Sequence, residues 1–221
     1  LSDFYKLALD SARRDREGIQ PVTPVMNEME QAKDKAALQQ LQVKYASQGY
    51  GIPYGYYFSA DEKNVAMNIF SISQGGLTLG QKDYYLNNDS ATVAIRNAFK
   101  QHIARMFRLY GFNEEQARQK ADVVFKNETA LALISKSMTE LRDPEANYNK
   151  ITLKEFKTRY PNLPLEAITN SEGINSKYIQ DMVVGQPQFL EGYDKIYAAA
   201  TAEDLRAQME WDLIMSSASY L

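Results

Sequence analysis

Gln74-Gly75-Gly76-Leu77-Thr78-Leu79-Gly80-Gln81-Lys82-Asp83-Tyr84-Tyr85-Leu86 is the stretch at which the chain changes character. Before it, apolar residues partly alternate; after it, they recur at helical spacing over long runs. Three glycines in six positions permit positive φ and close backbone approach, and the adjacent Tyr84 and Tyr85 can anchor the exit into a core. The stretch reads as the joint between a strand-forming segment and a helical one. Gly75 and Gly80 also have the glycine spacing of G-x-x-x-x-G-K-[ST]. However, Gln81 replaces the phosphate-pairing lysine and Lys82 the magnesium-binding hydroxyl, so no nucleotide site is expected.

Composition sets the outer limits. At 221 residues and 44% hydrophobic, the chain can fill a sizeable core. A balance of 25 basic against 28 acidic residues provides no electrostatic footprint for nucleic acid, so none is expected as a partner. No apolar run approaches the roughly 20 residues that span a bilayer, so a soluble chain without a transmembrane segment is expected. With no cysteine and only His102, the ordinary three-ligand set of a catalytic zinc cannot be assembled from this chain. Thiol catalysis is excluded by the same count.

Working outward, the N-terminal side reads as short helices joined by tight turns. Residues 1–16 carry Phe4, Leu7, Ala8 and Ala12 on one face, with Asp3 as a cap. Val22, Val25, Met26 and Met29 resume helical spacing as core filler, and Asp34 can cap a helix carrying Leu38, Leu41 and Tyr45 up to Gly49. Between them and the joint, Tyr54, Tyr56, Tyr57 and Phe58, a polar turn at residues 61–64, and Val65, Met67, Ile69, Phe70 and Ile72 predict one β-hairpin whose aromatics pack rather than bind. A two-stranded ribbon is marginal in water, so it must lie on something else.

After the joint, Asp89 or Ser90 caps a long helix through Phe99, Ile103 and Phe107 that Gly111 stops. Asn113 with Gln116 forms a capping box for a second helix, reaching about Thr139. His102, inside the first of these, reads as a partly buried, hydrogen-bonded residue rather than a catalytic one. The acids Glu114, Glu115, Glu128 and Glu140 read as helix-start or solvated positions, which leaves a carboxylate-based hydrolase without a pair to use.

A second distinctive stretch, Arg142-Asp143-Pro144-Glu145-Ala146-Asn147-Tyr148-Asn149-Lys150-Ile151-Thr152, reads as an ordered turn, with Thr152 and Glu155 opening a short helix. Beyond it come a short apolar run at residues 178–184, a helix opened by Pro187, and a last helix capped by Thr201 that shows no stop before Leu221. That running helix, and Leu1 in place of an initiating Met, suggest a longer natural chain. The triplets at Asn88 and Asn127 match the N-glycosylation pattern but are common by chance.

Taken together, the two joints resemble a known family. Gly75-Gly76-Leu77 followed by Asp83-Tyr84-Tyr85-Leu86, then Arg142-Asp143-Pro144 followed by Tyr148-Asn149-Lys150 and Thr152-Leu153, are similar to the N-terminal region of the neprilysin and endothelin-converting-enzyme family of zinc metalloendopeptidases. Asp3-Phe4-Tyr5, Leu9-Asp10 and Met209-Glu210-Trp211 fit the same region. The resemblance implies an endopeptidase of size-limited peptides, built from two mostly helical domains across a water-filled chamber. It also implies a His-Glu-x-x-His helix and a later glutamate holding zinc. Neither of these is present here. Asn97-Ala98-Phe99 is not that family's substrate-backbone motif, because it lies inside the first long helix.

The expectation is therefore a mainly α, multi-helix domain over 1–221 with one small hairpin: the lid-like part of a peptidase, cut from its zinc-binding half. Its joint residues are Gly75, Gly76, Asp83, Tyr84, Tyr85, Arg142, Asp143, Pro144, Tyr148 and Asn149. Zinc belongs to the full-length enzyme, and the isolated chain is expected to bind none and cleave nothing. Its partners would be peptide substrates and the missing catalytic domain. A stand-alone helical interaction module is the alternative. Since animal members resemble disulfide-linked ectodomains, the absence of cysteine favours a bacterial relative, periplasmic or secreted, with the cytoplasm as second choice.

Overall fold

Helix formation follows the caps. The computed structural model describes residues 5, 6 and 9–221, so the expectations for Asp3, Phe4, Leu7 and Ala8 lie outside the described residues. The predicted helix over residues 1–16 is broken at Asp10, whose carboxylate accepts from Arg13 N at 3.0 Å and starts α1, Ser11–Glu17. Helix α2, Thr23–Gln31, buries Met26 and Met29, and Asp34 caps α3, Lys35–Lys44. Asp89 caps α5, Ser90–Leu109, and the Asn113–Gln116 box opens α6, Glu114–Ile134. A short α4, Asp83–Leu86, precedes them. The Thr152–Glu155 box opens α7, Leu153–Arg159, and α8 spans Leu165–Ser171. Pro187 opens α9, Pro187–Ala199, and a Thr201–Asp204 box opens α10, Ala202–Ser217. Two predicted ends were too long: α6 stops at Ile134 rather than near Thr139, and α10 closes at Ser217 rather than running on to Leu221.

The fold is mainly α, but the expectation of a single hairpin is incorrect. Strands β1, Tyr54–Asp61, and β2, Asn64–Gln74, pair antiparallel as predicted, with Phe58 opposite Phe70. They belong to a four-stranded mixed sheet of order β1-β2-β4-β3. Strand β4, Asp181–Val184, runs parallel to β2 with Ile72 opposite Val184, and β3, Asn149–Thr152, pairs antiparallel with β4. The added strands are four residues each, and in β4 Met182, Val183 and Val184 are all buried. A strand enclosed on both faces shows no alternation, which is why that segment reads only as a short apolar run. The added strands also answer the marginal stability of an isolated ribbon.

Two hydrophobic clusters result. One gathers α2, α3, α5, α6 and α10 around Trp211, which is fully enclosed and meets Phe99 and Phe107 at centroid distances of 6.1 and 6.3 Å. The other packs α7, α8 and α9 onto the sheet around Phe70, Phe156, Phe189 and Tyr197. Leu77 and Leu205 pack against both clusters, so the Gln74–Leu86 joint physically lies where they meet. Within the hairpin, Tyr54 is buried and Tyr56 half-buried, whereas Tyr57 and Phe58 remain about half exposed, contrary to the expected packing of the whole aromatic run.

Candidate functional site

The joint is closed by a buried carboxylate. Gly75 N donates to Pro53 O at 2.9 Å, bringing the chain against the segment that precedes β1. Gly76 then takes φ +78°, and a Cβ there would fall 2.7 Å from Pro53 Cα and 2.4 Å from its Cβ. Only glycine meets both demands, the left-handed backbone and the missing volume. Thr78 follows, its N and Oγ1 donating to Glu128 at 3.1 and 2.6 Å. The Tyr85 hydroxyl donates to the same carboxylate and accepts from Leu79 N at 3.0 Å. Trp211 Nε1 donates to Thr78 Oγ1 at 3.0 Å, and Lys82 Nζ to Ser135 O at 2.7 Å. Strand, joint, α6 and α10 are thereby tied at one point.

Glu128 is thus not on a solvated face, as the sequence reading expected, but is completely enclosed. Burial pushes its carboxyl up from the usual range, and the donors from Thr78 and Tyr85 oppose that shift. The other three acids named with it, Glu114, Glu115 and Glu140, are exposed. Tyr85 is buried, with its phenol pushed up chiefly by burial and then by the Glu128 charge. Tyr84 and Asp83 are exposed, so the expected packing of the tyrosine pair holds for Tyr85 alone.

The second joint lies across the sheet. Arg142 ends a 3-10 turn, and Arg142, Asp143 and Pro144 are exposed. Asp143 Oδ1 accepts from Ala146 N at 3.1 Å, and its carbonyl accepts from Asn147 Nδ2 at 2.6 Å. Tyr148 OH donates to Asp61 Oδ1 at 2.7 Å, holding that carboxyl below its usual range, with help from Lys63 N and Lys150. Asn149 Nδ2 donates to Val184 O at 3.0 Å.

The two joints are linked through amides that the sequence does not flag. Gln74 N donates to Gln186 Oε1 at 2.8 Å, and Gln186 Nε2 donates to Asn147 Oδ1 at 3.0 Å. Gln74 also exchanges two bonds with the backbone of Lys136, at 2.8 and 2.9 Å. Isolated glutamines carry no motif, so only the sheet pairing reveals this chain of contacts.

Metal ligation is not supplied by these residues. Among the described residues, no three of His, Cys, Asp and Glu converge as a metal site. His102 is exposed and meets Trp211 edge-on at 6.1 Å, so it is not the partly buried histidine the sequence suggested. Among the described residues a zinc ion therefore has no fitting donor set.

The sequence profile of the N-terminal region of peptidase family M13 matches residues 1–221. The chain belongs to peptidase family M13. It is 31% identical over 173 residues to endothelin-converting enzyme 1 of Cavia porcellus, covering 76% of this chain and 22% of that one. It is 27% identical over 160 residues to neprilysin-3 of Drosophila melanogaster, covering 71% and 20%. Among solved structures, the inhibitor complex of the Mycobacterium tuberculosis zinc metalloprotease Zmp1 superposes with a TM-score of 0.90 at 27% identity, over 99% of this chain and 33% of that one. The M13 chain described here thus spans about a fifth of those curated relatives and a third of Zmp1. Among its described residues, no helix is long and apolar enough to cross a membrane.

A further feature bears on what this region could bind. A cavity of about 420 Å³ opens beside the joint, between α9, α10 and residues 48–53, with Gly76 in its wall. Asp212 lines it, accepting from Gly51 N at 2.6 Å and Gln208 Nε2 at 3.2 Å. Burial raises the Asp212 carboxyl to about 7.

Proposed function

We propose that this chain is the N-terminal, lid-like part of a zinc metalloendopeptidase that hydrolyses size-limited oligopeptides, with 1–221 acting as one mostly helical unit. The observation that carries the reading is the superposition on Zmp1 over nearly the whole chain at a TM-score of 0.90. Zinc, its His-Glu-x-x-His ligands and the general base belong to the remainder of the polypeptide, and peptide substrates and that catalytic domain are this region's partners. Closing a helical lid over such a centre excludes bulk water and admits flexible peptides but not folded proteins. The Gly76–Glu128 lock and the Asp143–Asn149 turn serve this by holding sheet and long helices in one fixed relation. The lack of cysteine sets the chain apart from disulfide-linked animal ectodomains and favours a bacterial relative, for which export to the periplasm or medium is our reading and the cytoplasm the alternative.

The test uses the full-length protein. Metal content after dialysis is expected to show stoichiometric zinc. A ladder of peptides should be cut up to a limiting length, with cleavage abolished by a chelator. Full-length protein that is folded and zinc-loaded yet cuts none of the ladder would overturn the reading.

A further inference from the structure

We infer that the cavity beside the joint is a binding pocket for an aliphatic side chain that ends in a cation, the lysine or arginine of a bound peptide. This rests on the peptidase reading for its ligand and on the following features for its chemistry. The walls are apolar, with Ile52, Pro53, Leu131, Ile196 and Leu205 facing the space. Its volume of about 420 Å³ falls in the range that holds small ligands. No Lys, Arg or His is among the described residues that line it.

Two acids line it, and they differ. Asp204 is already committed, paired with Lys126 and capping α10 through Thr201 N at 3.0 Å. Asp212 has no cationic partner among the described residues; its contacts are an amide N–H from Gly51 and one from Gln208. Gln208 lines the same cavity, and its Oε1 is enclosed by protein without a hydrogen-bond partner. An uncompensated carboxylate beside an apolar slot is costly as it stands. It is satisfied by a donor-rich cation carried on a hydrocarbon stem. An acidic or neutral apolar ligand would leave it as it is. Tyr193 and Tyr197 also line the space. Lysine and arginine side chains combine this stem and this head.

The supporting structure is organised around the same residues. Gln42 accepts from Tyr197 OH at 2.7 Å and donates to Gly51 O, and Tyr193 OH donates to Gly51 O at 3.4 Å. The loop that presents Gly51 N to Asp212 is therefore held from two sides, which fixes the carboxylate before any ligand arrives.

The experiment has two arms, both on the full-length protein. In the first, pentylamine and its neutral counterpart 1-pentanol are titrated by NMR at pH 8 into zinc-stripped protein, so the readout does not depend on catalysis. Pentylamine is expected to bind at least 10-fold more tightly than pentanol. Asp212→Asn, which keeps an acceptor for Gly51 N, is expected to reduce pentylamine binding at least 10-fold. Met215→Trp, at the exposed rim, is expected to abolish it. In the second arm, peptides that differ only by lysine or norleucine at successive positions are compared as substrates of the zinc enzyme. One position is expected to favour lysine in the parent, and Asp212→Asn should remove that preference through KM.

Equal binding of pentanol, unchanged binding in a folded Asp212→Asn protein, or no binding by folded parent protein overturns the inference. The last result would mean that the rest of the polypeptide fills the pocket. Amine binding in an enzyme that cuts no peptide would instead sink the peptidase reading and leave the cation pocket standing. Cleavage without amine binding would do the reverse.

Discussion

Glu128 and Asp212 are carboxylates drawn into the interior from neighbouring long helices, and their surroundings differ in kind. Glu128 is ringed by donors that belong to the fold: Thr78 through two atoms and Tyr85 through its hydroxyl. Asp212 receives two amide N–H groups and then opens onto a cavity. Both are pushed up by burial, so a raised pKa alone does not separate a structural acid from a binding one. What separates them is whether the protein has used up the acid's hydrogen-bonding capacity. A saturated carboxylate holds elements together, whereas an unsaturated one beside empty volume is available to a ligand.

The largest expected effect tests the saturated side. Gly76→Val meets two penalties at once, a β-branched residue at φ +78° and a Cβ inside the van der Waals radius of Pro53. Together these are expected to destabilise the protein by about 4 kcal/mol. Gly80 has almost the same φ, +79°, but nothing lies within 4 Å of a Cβ there. Gly80→Ala is thus expected to lose only about 1 kcal/mol. Urea midpoints of the two variants, with zinc content measured alongside, decide the matter. Similar losses would mean that contact with Pro53 contributes nothing to the joint.

The helices and the joint were legible because their signals are local. Caps at Asp34, Asp89, Asn113, Thr152 and Thr201 each engage the backbone three residues on, within one turn of chain. Glycines that need positive φ mark themselves in the same way. What escaped depends on partners far along the chain. Strand β4 exists because Ile72, more than a hundred residues earlier, lies opposite Val184, and β3 because it pairs with β4. Glu128 looked solvated since its neighbours Asn127 and Thr129 are polar, and its donors Thr78 and Tyr85 lie 50 and 43 residues away. The cavity is the extreme case, assembled from residues 48–53, Gly76, α6, α9 and α10, of which only Gly76 falls in a joint that the sequence singled out.

A middle-sized effect is expected at the donors. Glu128→Ala leaves Thr78 N, Thr78 Oγ1 and Tyr85 OH without their acceptor in a dry site, and a loss of about 3 kcal/mol is expected. Tyr85→Phe removes one donor from an acid that keeps two others, and should lose about 1 kcal/mol. In thermal denaturation the double variant Glu128→Ala/Tyr85→Phe should be less destabilised than the sum of the two, because the same bond is counted in both. Strict additivity would show that the hydroxyl and carboxylate do not interact.

The smallest effect at neutral pH, and the one that sharpens the comparison most, is Asp212→Asn. Asparagine keeps an oxygen for Gly51 N, so near pH 7 the change in stability should be under about 1 kcal/mol. Its signature is in the pH dependence. Because burial raises the Asp212 carboxyl from 3.8 to about 7, the folded protein retains a proton that the unfolded chain has already released between those values. With more protons bound in the folded state, the Asp212 contribution to stability falls as pH rises through that window and levels off above it. The groups around Asp212 are Tyr193 and Tyr197 from α9, Glu128 from α6, and Asp204 on its own helix. Of these, Glu128 is pushed in the same direction and adds to the slope. Removing Asp212 should therefore flatten the decline between pH 4 and 7 without abolishing it, Glu128→Gln should flatten it further, and Glu210, whose carboxyl burial raises to about 9, keeps a share in both variants. Saturating pentylamine should pair with the ionised Asp212, stabilising the parent more at pH 8 than at pH 5, whereas any stabilisation of Asp212→Asn by the amine should be the same at both. A parent stabilised equally at both pH values would place the amine somewhere other than against this carboxylate.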